Sequence, residues 1–195
     1  MSSTLFQVAP LDHRHDRTGF HSGSEPLDRY FRDHVMQDIR RRVTACFVAL
    51  TGEQWIAGFY TLASASVLLS DLPASLSRKL PRYPSVPAIR LGRLAVDQHF
   101  KGQGLGGALL ADALERALRS EIAAYALVVD AKDESAAAFY QHHGFIRLPD
   151  QTLTLFLPLA TARSVAPSAG WPRFSPISGP RPRGRPARAQ RSRRP

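Results

Sequence analysis

The chain commits itself most strongly between Leu91 and Leu110, Leu-Gly-Arg-Leu-Ala-Val-Asp-Gln-His-Phe-Lys-Gly-Gln-Gly-Leu-Gly-Gly-Ala-Leu-Leu. Leu91, Leu94, Ala95 and Val96 form an apolar run suited to a buried strand, whereas Leu105, Ala108, Leu109, Ala113 and Ala117 recur at helical spacing. A strand therefore runs into a helix. The turn between them is Lys101-Gly-Gln-Gly-Leu-Gly-Gly107. Without Cβ atoms its backbone can curl tightly and let a ligand approach, and the free N–H groups of the helix start point outward with the positive end of the helix dipole behind them. Such a turn is an anion cradle, best suited to phosphate.

Several ligands use cradles of this kind. A nucleotide P-loop closes on Gly-Lys-Ser/Thr, and Gly106-Gly107-Ala108 stands in that place, which excludes it. Gly102, Gly104 and Gly107 have the Gly-x-Gly-x-x-Gly spacing of a dinucleotide fold, but that turn belongs at the start of a βαβ array, and here it lies in mid-chain without the partner half. A glycine-rich turn with no ligand is the plain structural alternative.

At 195 residues with 44% hydrophobic composition the chain has room for one domain with a real core. The net charge of +10 is uneven: nine arginines and no acidic residue lie from Ala160 onward, so residues 1–159 carry about +1. A domain over residues 1–159 and a Pro/Arg-rich tail over 160–195 follow, the tail expected to be disordered. It either adds nonspecific affinity for RNA or is a dispensable extension. Cys46 is the only cysteine, so no disulfide forms within the chain. The start, Met-Ser-Ser-Thr-Leu, lacks a signal-peptide pattern, and no apolar run approaches twenty residues, so the expected location is the cytoplasm, with no membrane partner.

In order, Leu5–Ala9 reads as a first strand, followed by a polar loop with His13, His15 and His21, taken as solvated because no Cys or carboxylate cluster completes a metal site. No metal is predicted. Ser24 and Pro26 open an amphipathic helix to about Arg40, with Leu27, Tyr30, Phe31 and Val35 on its apolar face. Val43–Leu50 and Trp55–Leu62 form a hairpin around Thr51-Gly-Glu-Gln54. Between residues 63 and 84 only a short helix over Ala74–Leu80 is expected, with Pro81, Pro84 and Pro87 breaking regular structure. A helix from Leu105 to about Arg119, a buried strand Tyr125–Asp130, a helix capped by Asp133 and stopped at Gly144, and strands over 145–148 and 152–157 complete the chain. The predicted class is α+β, a mixed α/β sheet flanked by helices.

A strand, a Gly-rich turn and helix, a second strand ending in Val129-Asp-Ala131, then Ala-x-x-Phe139-Tyr140-x-x-x-Gly144-Phe145 resemble, in that order, the GNAT acetyltransferases over residues 19–158. Their pyrophosphate loop, Arg/Gln-x-x-Gly-x-Gly/Ala, is similar to Lys101-Gly-Gln-Gly-Leu-Gly106, with Lys at the first position. Phe20-x-Ser-Gly-x-x-x-Leu-Asp28, Leu91-Gly-Arg-Leu-Ala-Val-Asp97 and Val129-Asp-Ala131 look like the TacT/AtaT-type toxins of that family, which acetylate the α-amine of aminoacyl-tRNA and are silenced by a ribbon-helix-helix antitoxin.

The resemblance implies acetyl-CoA as cosubstrate and no metal. It assigns Leu94, Ala95 and Val96 to the pantetheine arm, Lys101, Gly102, Gln103, Gly104, Leu105, Gly106 and Gly107 to the diphosphate, and Asp130, Ser135 and Phe139 to further cofactor contacts. Tyr140 matches the tyrosine that protonates the leaving thiolate. Of the two neighbours, Phe139 is expected to pack and Tyr140 to face the cofactor. No general base stands out among Asp97, Asp130 and Glu134, and an α-amine of pKa about 7.7–8.0 has little need of one. Arg93 is implied near the acceptor end. The basic residues Arg40, Arg41, Arg42, Arg78, Lys79, Arg82 and Arg90 suit tRNA phosphates, though each alone reads as solvated surface charge. A homodimer is compatible with this family. The alternatives are a GNAT enzyme acting on a small amine or a protein N-terminus, and a noncatalytic RNA-binding module.

Overall fold

The computed structural model describes residues 6–165. Seven strands, β1 (Gln7–Pro10), β2 (Ala45–Leu50), β3 (Ile56–Leu68), β4 (Ser85–Val96), β5 (Ala126–Asp130), β6 (Ile146–Leu148) and β7 (Gln151–Pro158), form one sheet in the order β1-β2-β3-β4-β5-β7-β6. Every neighbouring pair is antiparallel except β4 with β5. The single parallel pair is separated in sequence by a crossover that carries α4 (Leu105–Arg119), which packs on the sheet as such crossovers must.

The sheet is covered on both faces. α4 and α5 (Glu134–His142) lie on one, where Leu109, Ala113 and Ala137 meet Leu91, Leu127, Val129 and Leu155. On the other, α1 (Glu25–Arg29), a π turn (Tyr30–His34) and α2 (Val35–Arg40) cover β2 and β3 through Phe31 and Val35 against Val48 and Phe59. Leu76 of α3 (Ala74–Ser77) packs against a third cluster of Val67, Val86, Val128 and Phe156. β5, covered on both faces, reads as a continuous apolar run for that reason. Each fully buried side chain of this size contributes about 1.5–3 kcal/mol. No helix among the described residues is long and apolar enough to cross a membrane.

The structure departs from the sequence reading in five places. β1 begins at Gln7, not Leu5, and residues 1–5 lie outside the described chain. The single helix expected from Ser24 to Arg40 is broken by the π turn, whose extra residue keeps Tyr30, Phe31 and Val35 all buried. β3 continues to Leu68, through residues expected to be irregular. β4 starts at Ser85 and contains Pro87. Pro87 is tolerated because its carbonyl, accepting from Tyr125 N–H at 2.7 Å, faces β5, and the β4–β5 pairing begins only at Ala88. Its missing N–H therefore costs no ladder bond. Finally, the domain does not stop at 159: α6 (Leu159–Val165) follows β7, with Leu159 and Ala162 buried in the core. Residues 166–195 lie outside the described chain.

Candidate active site

β4 and β5 pair only from Ala88 opposite Ala126 to Leu91 opposite Val129. Beyond that point each keeps its other neighbour: β4 stays on β3 as far as Val96 opposite Gly58, and β5 stays on β7 to Asp130 opposite Thr154. The two parallel strands thus part while both remain held. The parting coincides with a bulge, because Arg93 lies opposite Thr61 and Leu91 opposite Leu62, leaving Gly92 without a partner. A bulge bends its strand and increases the local twist. A Cβ at Gly92 would meet the Thr61 hydroxyl at 3.1 Å, so this tight crossing favours glycine.

Just past the gap, α4 begins. Gly104 is its N-cap with φ +77°, and Gly102 has φ +74°; both occupy the left-handed region that only glycine enters freely, and an added Cβ at either would meet nothing within 4 Å. Ala108 N–H closes the first helical bond onto the Gly104 carbonyl at 3.1 Å, leaving the amides of 105–107 as the unsatisfied first turn, which itself carries no acidic residue. These residues fit a diphosphate. The side chains of the loop are otherwise engaged. Lys101 Nζ donates to the Ser22 carbonyl at 2.6 Å, Gln103 Nε2 donates to the His99 carbonyl at 3.3 Å, and Leu105 is buried in the core. Gly107 serves packing as well, since a Cβ there would approach His143 Nε2 at 3.1 Å.

The space between the parted strands and the helix starts is a groove of 280 Å³, whose walls include Leu94, Gly106, Ser135, Phe139 and Tyr140, with Lys132 and Asp133 also on its lining. α5 presents its residues there because Asp133 caps it, accepting the Ala136 N–H at 2.8 Å, while Gly144 at φ +88° ends it and turns Phe145 back under Tyr140. Phe139 and Tyr140 both reach the groove, so the division into one packing and one facing residue is not what the chain adopts: Phe139 stands edge-on to Tyr140, near Gly106 and Val96. Tyr140 is 9% exposed, on the lining of the groove. Burial pushes its phenol up to about 12.

Other predicted residues fall elsewhere. The side chain of Ala95 packs with Phe59 on the far face, so only its backbone can serve the gap. Asp130 does not line the groove; its carboxylate is held by Arg90 and by the Thr154 hydroxyl at 2.9 Å. Arg90 is thereby paired rather than free. Arg93 lies over the Tyr30 ring, 3.4 Å from its centroid, and Tyr30 donates to Asp38 at 3.0 Å. Burial raises the Tyr30 phenol above its ordinary value, and Asp38 adds to that. Arg40, Arg41, Arg42, Arg78, Lys79 and Arg82 are exposed.

Asp28 and Asp97 are buried carboxylates that organise the loop beside the cradle. Asp97 accepts the His21 and His99 N–H groups at 2.8 and 2.9 Å and the His99 ring at 2.8 Å. Asp28 accepts the Ser22 N–H and hydroxyl and the His21 ring at 2.8 Å, so His21 is tied down rather than simply solvated. Burial pushes both carboxyls up, but these donors together outweigh it and both lie below the ordinary value. With Lys101 on Ser22, they fasten loop 20–24 against the cradle. The spacing from Phe20 to Asp28 was the signal available. Cys46 is buried, which pushes its thiol up to about 12 and leaves it a poor nucleophile.

A model of the acetyltransferase (GNAT) family matches residues 10–145. The tRNA-acetylating toxin of Mycobacterium tuberculosis (strain ATCC 25618 / H37Rv) is 38% identical over 152 residues, spanning 77% of this chain and 90% of that protein. Among solved structures, AtaT complexed with acetyl-methionyl-tRNAfMet aligns with a TM-score of 0.76 and 29% identity, covering 82% of this chain and 98% of that one. AtaTR bound with AcCoA aligns with a TM-score of 0.72 and 27% identity, covering 82% and 97%. Parted strands, an amide cradle and a family model that spans both place this chain in the acetyltransferase (GNAT) family.

Proposed function

We propose that this protein is the toxin of a toxin–antitoxin pair, transferring the acetyl group of acetyl-CoA to the α-amine of an aminoacyl-tRNA and so arresting translation. The observation that carries it is the groove where β4 leaves β5, bounded by the α4 amides and by a buried, protonated phenol. Likeness to a tRNA-acetylating toxin and to AtaT with an acetylated tRNA supports the acceptor.

When bound, acetyl-CoA supplies an activated acetyl thioester. The amides of 105–107 hold its diphosphate, and the backbone of Leu94, Ala95 and Val96, free of β5, pairs with the pantetheine arm as an added strand would. As the amine nitrogen bonds to the acetyl carbon and the carbon–sulfur bond breaks, the Tyr140 phenol gives its proton to the departing sulfur, and the proton the amine loses returns through water to restore the phenol. A phenol pushed upward by burial is a proton donor throughout the physiological range. The acceptor needs no dedicated base, because an α-amine of pKa about 7.7–8.0 is partly neutral near pH 7.

The exposed cations Arg40, Arg41, Arg78 and Lys79 position tRNA phosphates, the resemblance to the toxins assigns Arg93 to the acceptor end, and Arg90 is withdrawn by Asp130. The enzyme acts in the cytoplasm, where charged tRNA is found, and a ribbon-helix-helix antitoxin holds it silent. The test is incubation with radiolabelled acetyl-CoA and total charged tRNA. Label on the aminoacyl moiety is expected. Label confined to small amines or protein N-termini would overturn the tRNA assignment, and binding of tRNA without any transfer would overturn the enzyme.

A further inference from the structure

β3 is longer than the strand on its outer side. β2 accompanies it only as far as Ala45 opposite Leu62, where the Thr44 hydroxyl donates to the Leu62 carbonyl at 3.0 Å. From Ala63 to Leu68, among the described residues, β3 pairs with β4 alone. The free groups can be identified. Pro87 turns its carbonyl to Tyr125 on the β5 side, away from β3. In an antiparallel pair, opposite residues turn their main-chain groups either toward each other or both away. Ser66, opposite Pro87, therefore points its N–H and C=O outward, and by alternation so do Ser64 and Leu68.

Soluble sheets guard such edges by brevity, charge or proline. The two outer edges comply: β1 has four residues and ends in Pro10, and β6 has three. Ala63-Ser-Ala-Ser-Val-Leu68 has neither charge nor proline. Beside it runs a second groove of 330 Å³ between Ala63, Ile89 and the end of α4, with Ile122, 82% exposed, on its lining.

Charge selects the occupant. Arg40, Arg41 and Arg42 precede β2 at the Leu62 end, and Arg78, Lys79 and Arg82 lie in the connection that joins β3 to β4 beyond Leu68. A second copy pairing antiparallel would set one cationic cluster against the other. Residues 166–195, rich in Arg and Pro and lacking Asp and Glu, meet the same repulsion. We propose that residues 63–68 take, as an added strand, an extended segment of a partner protein that is apolar in its middle and acidic at both ends. The surface lies toward the opposite end of β4 from Tyr140, so its occupancy leaves the coenzyme groove open, while the acidic ends compete with tRNA phosphates for the same cations.

The probe is a capped peptide, Glu-Glu-Val-Thr-Val-Thr-Val-Glu-Glu, added to the full chain while amide hydrogen exchange is followed. The Ser64, Ser66 and Leu68 amides are expected to slow. A peptide with Lys in place of Glu should bind roughly tenfold more weakly at low salt. Ser66→Pro, which removes only an outward N–H, should abolish peptide binding and leave coenzyme A affinity unchanged. Unaltered exchange at these three amides, or equal binding of the two peptides, would overturn the proposal. So would protection produced by tRNA alone or by raising the protein concentration alone, which would put nucleic acid or a second copy on this edge.

Discussion

Tyr140 joins a ring packed between Phe139 and Phe145 to a place on the lining of the groove. Removing that oxygen should hardly touch the fold. Tyr140→Phe is expected to lower kcat by about 10²–10⁴-fold, the usual worth of a positioned proton donor, while calorimetry shows coenzyme A affinity within about twofold. The pH profile carries a second prediction. With the phenol pushed to about 12, the rate should rise through the α-amine's titration and show no fall from this group until above about pH 10, where an unburied phenol would begin to ionise. The stability sign runs the other way in alkali. Between the ordinary value and about 12 the folded phenol keeps a proton that the unfolded one has lost, so stability falls as pH rises through that window. Asp97 shows the opposite case. Its pKa is depressed, so the stabilisation it provides is complete above the ordinary carboxylate range and is lost as acid carries the pH down through the lowered value. Asp97→Asn turns an amide donor toward groups that already donate, and should cost about 1–3 kcal/mol in urea titrations.

Among the elements, the strand–turn–helix from β4 to α4 was plain in the sequence because it is written in backbone requirements. Glycine recurs where left-handed turns are needed, and the apolar spacing changes from strand to helix around it. Gly104→Val should impose roughly 1–2 kcal/mol of backbone strain and weaken acetyl-CoA binding several-fold, measured by thermal shift with and without ligand, since the φ of +77° is unfavourable for any branched residue. The long hairpin of β3 and β4 was hidden. Its far half spreads Val67, Val86 and Ile89 thinly among Ala, Ser and Pro, and it is held by the partner strand and by Leu76 and Leu80 packing beneath more than by local preference. The π turn was invisible for a related reason: an added residue keeps Tyr30 inward to receive Arg93, a demand made by β4 and not by the helix itself. Asp130 was misplaced because strand position alone gives no hint that Arg90, across the parallel pair, and Thr154 would claim its carboxylate.

At the scale of the whole molecule, the basic composition resolves into exposed Arg40–Arg42 and Arg78–Arg82 and a C-terminal stretch beyond residue 165. If tRNA phosphates meet these groups, Arg78→Ala with Lys79→Ala should flatten the salt dependence of tRNA binding by about one unit of log–log slope per lost contact, without altering acetyl transfer to a minimal aminoacyl acceptor. The parting of β4 and β5 has a further bearing on how the enzyme cycles. Both banks of that opening are moored from behind, β4 by β3 and β5 by β7, so its aperture is a permanent property of the architecture. Coenzyme exchange then requires no hinge, and turnover should be governed by how quickly a bulky nucleic acid departs.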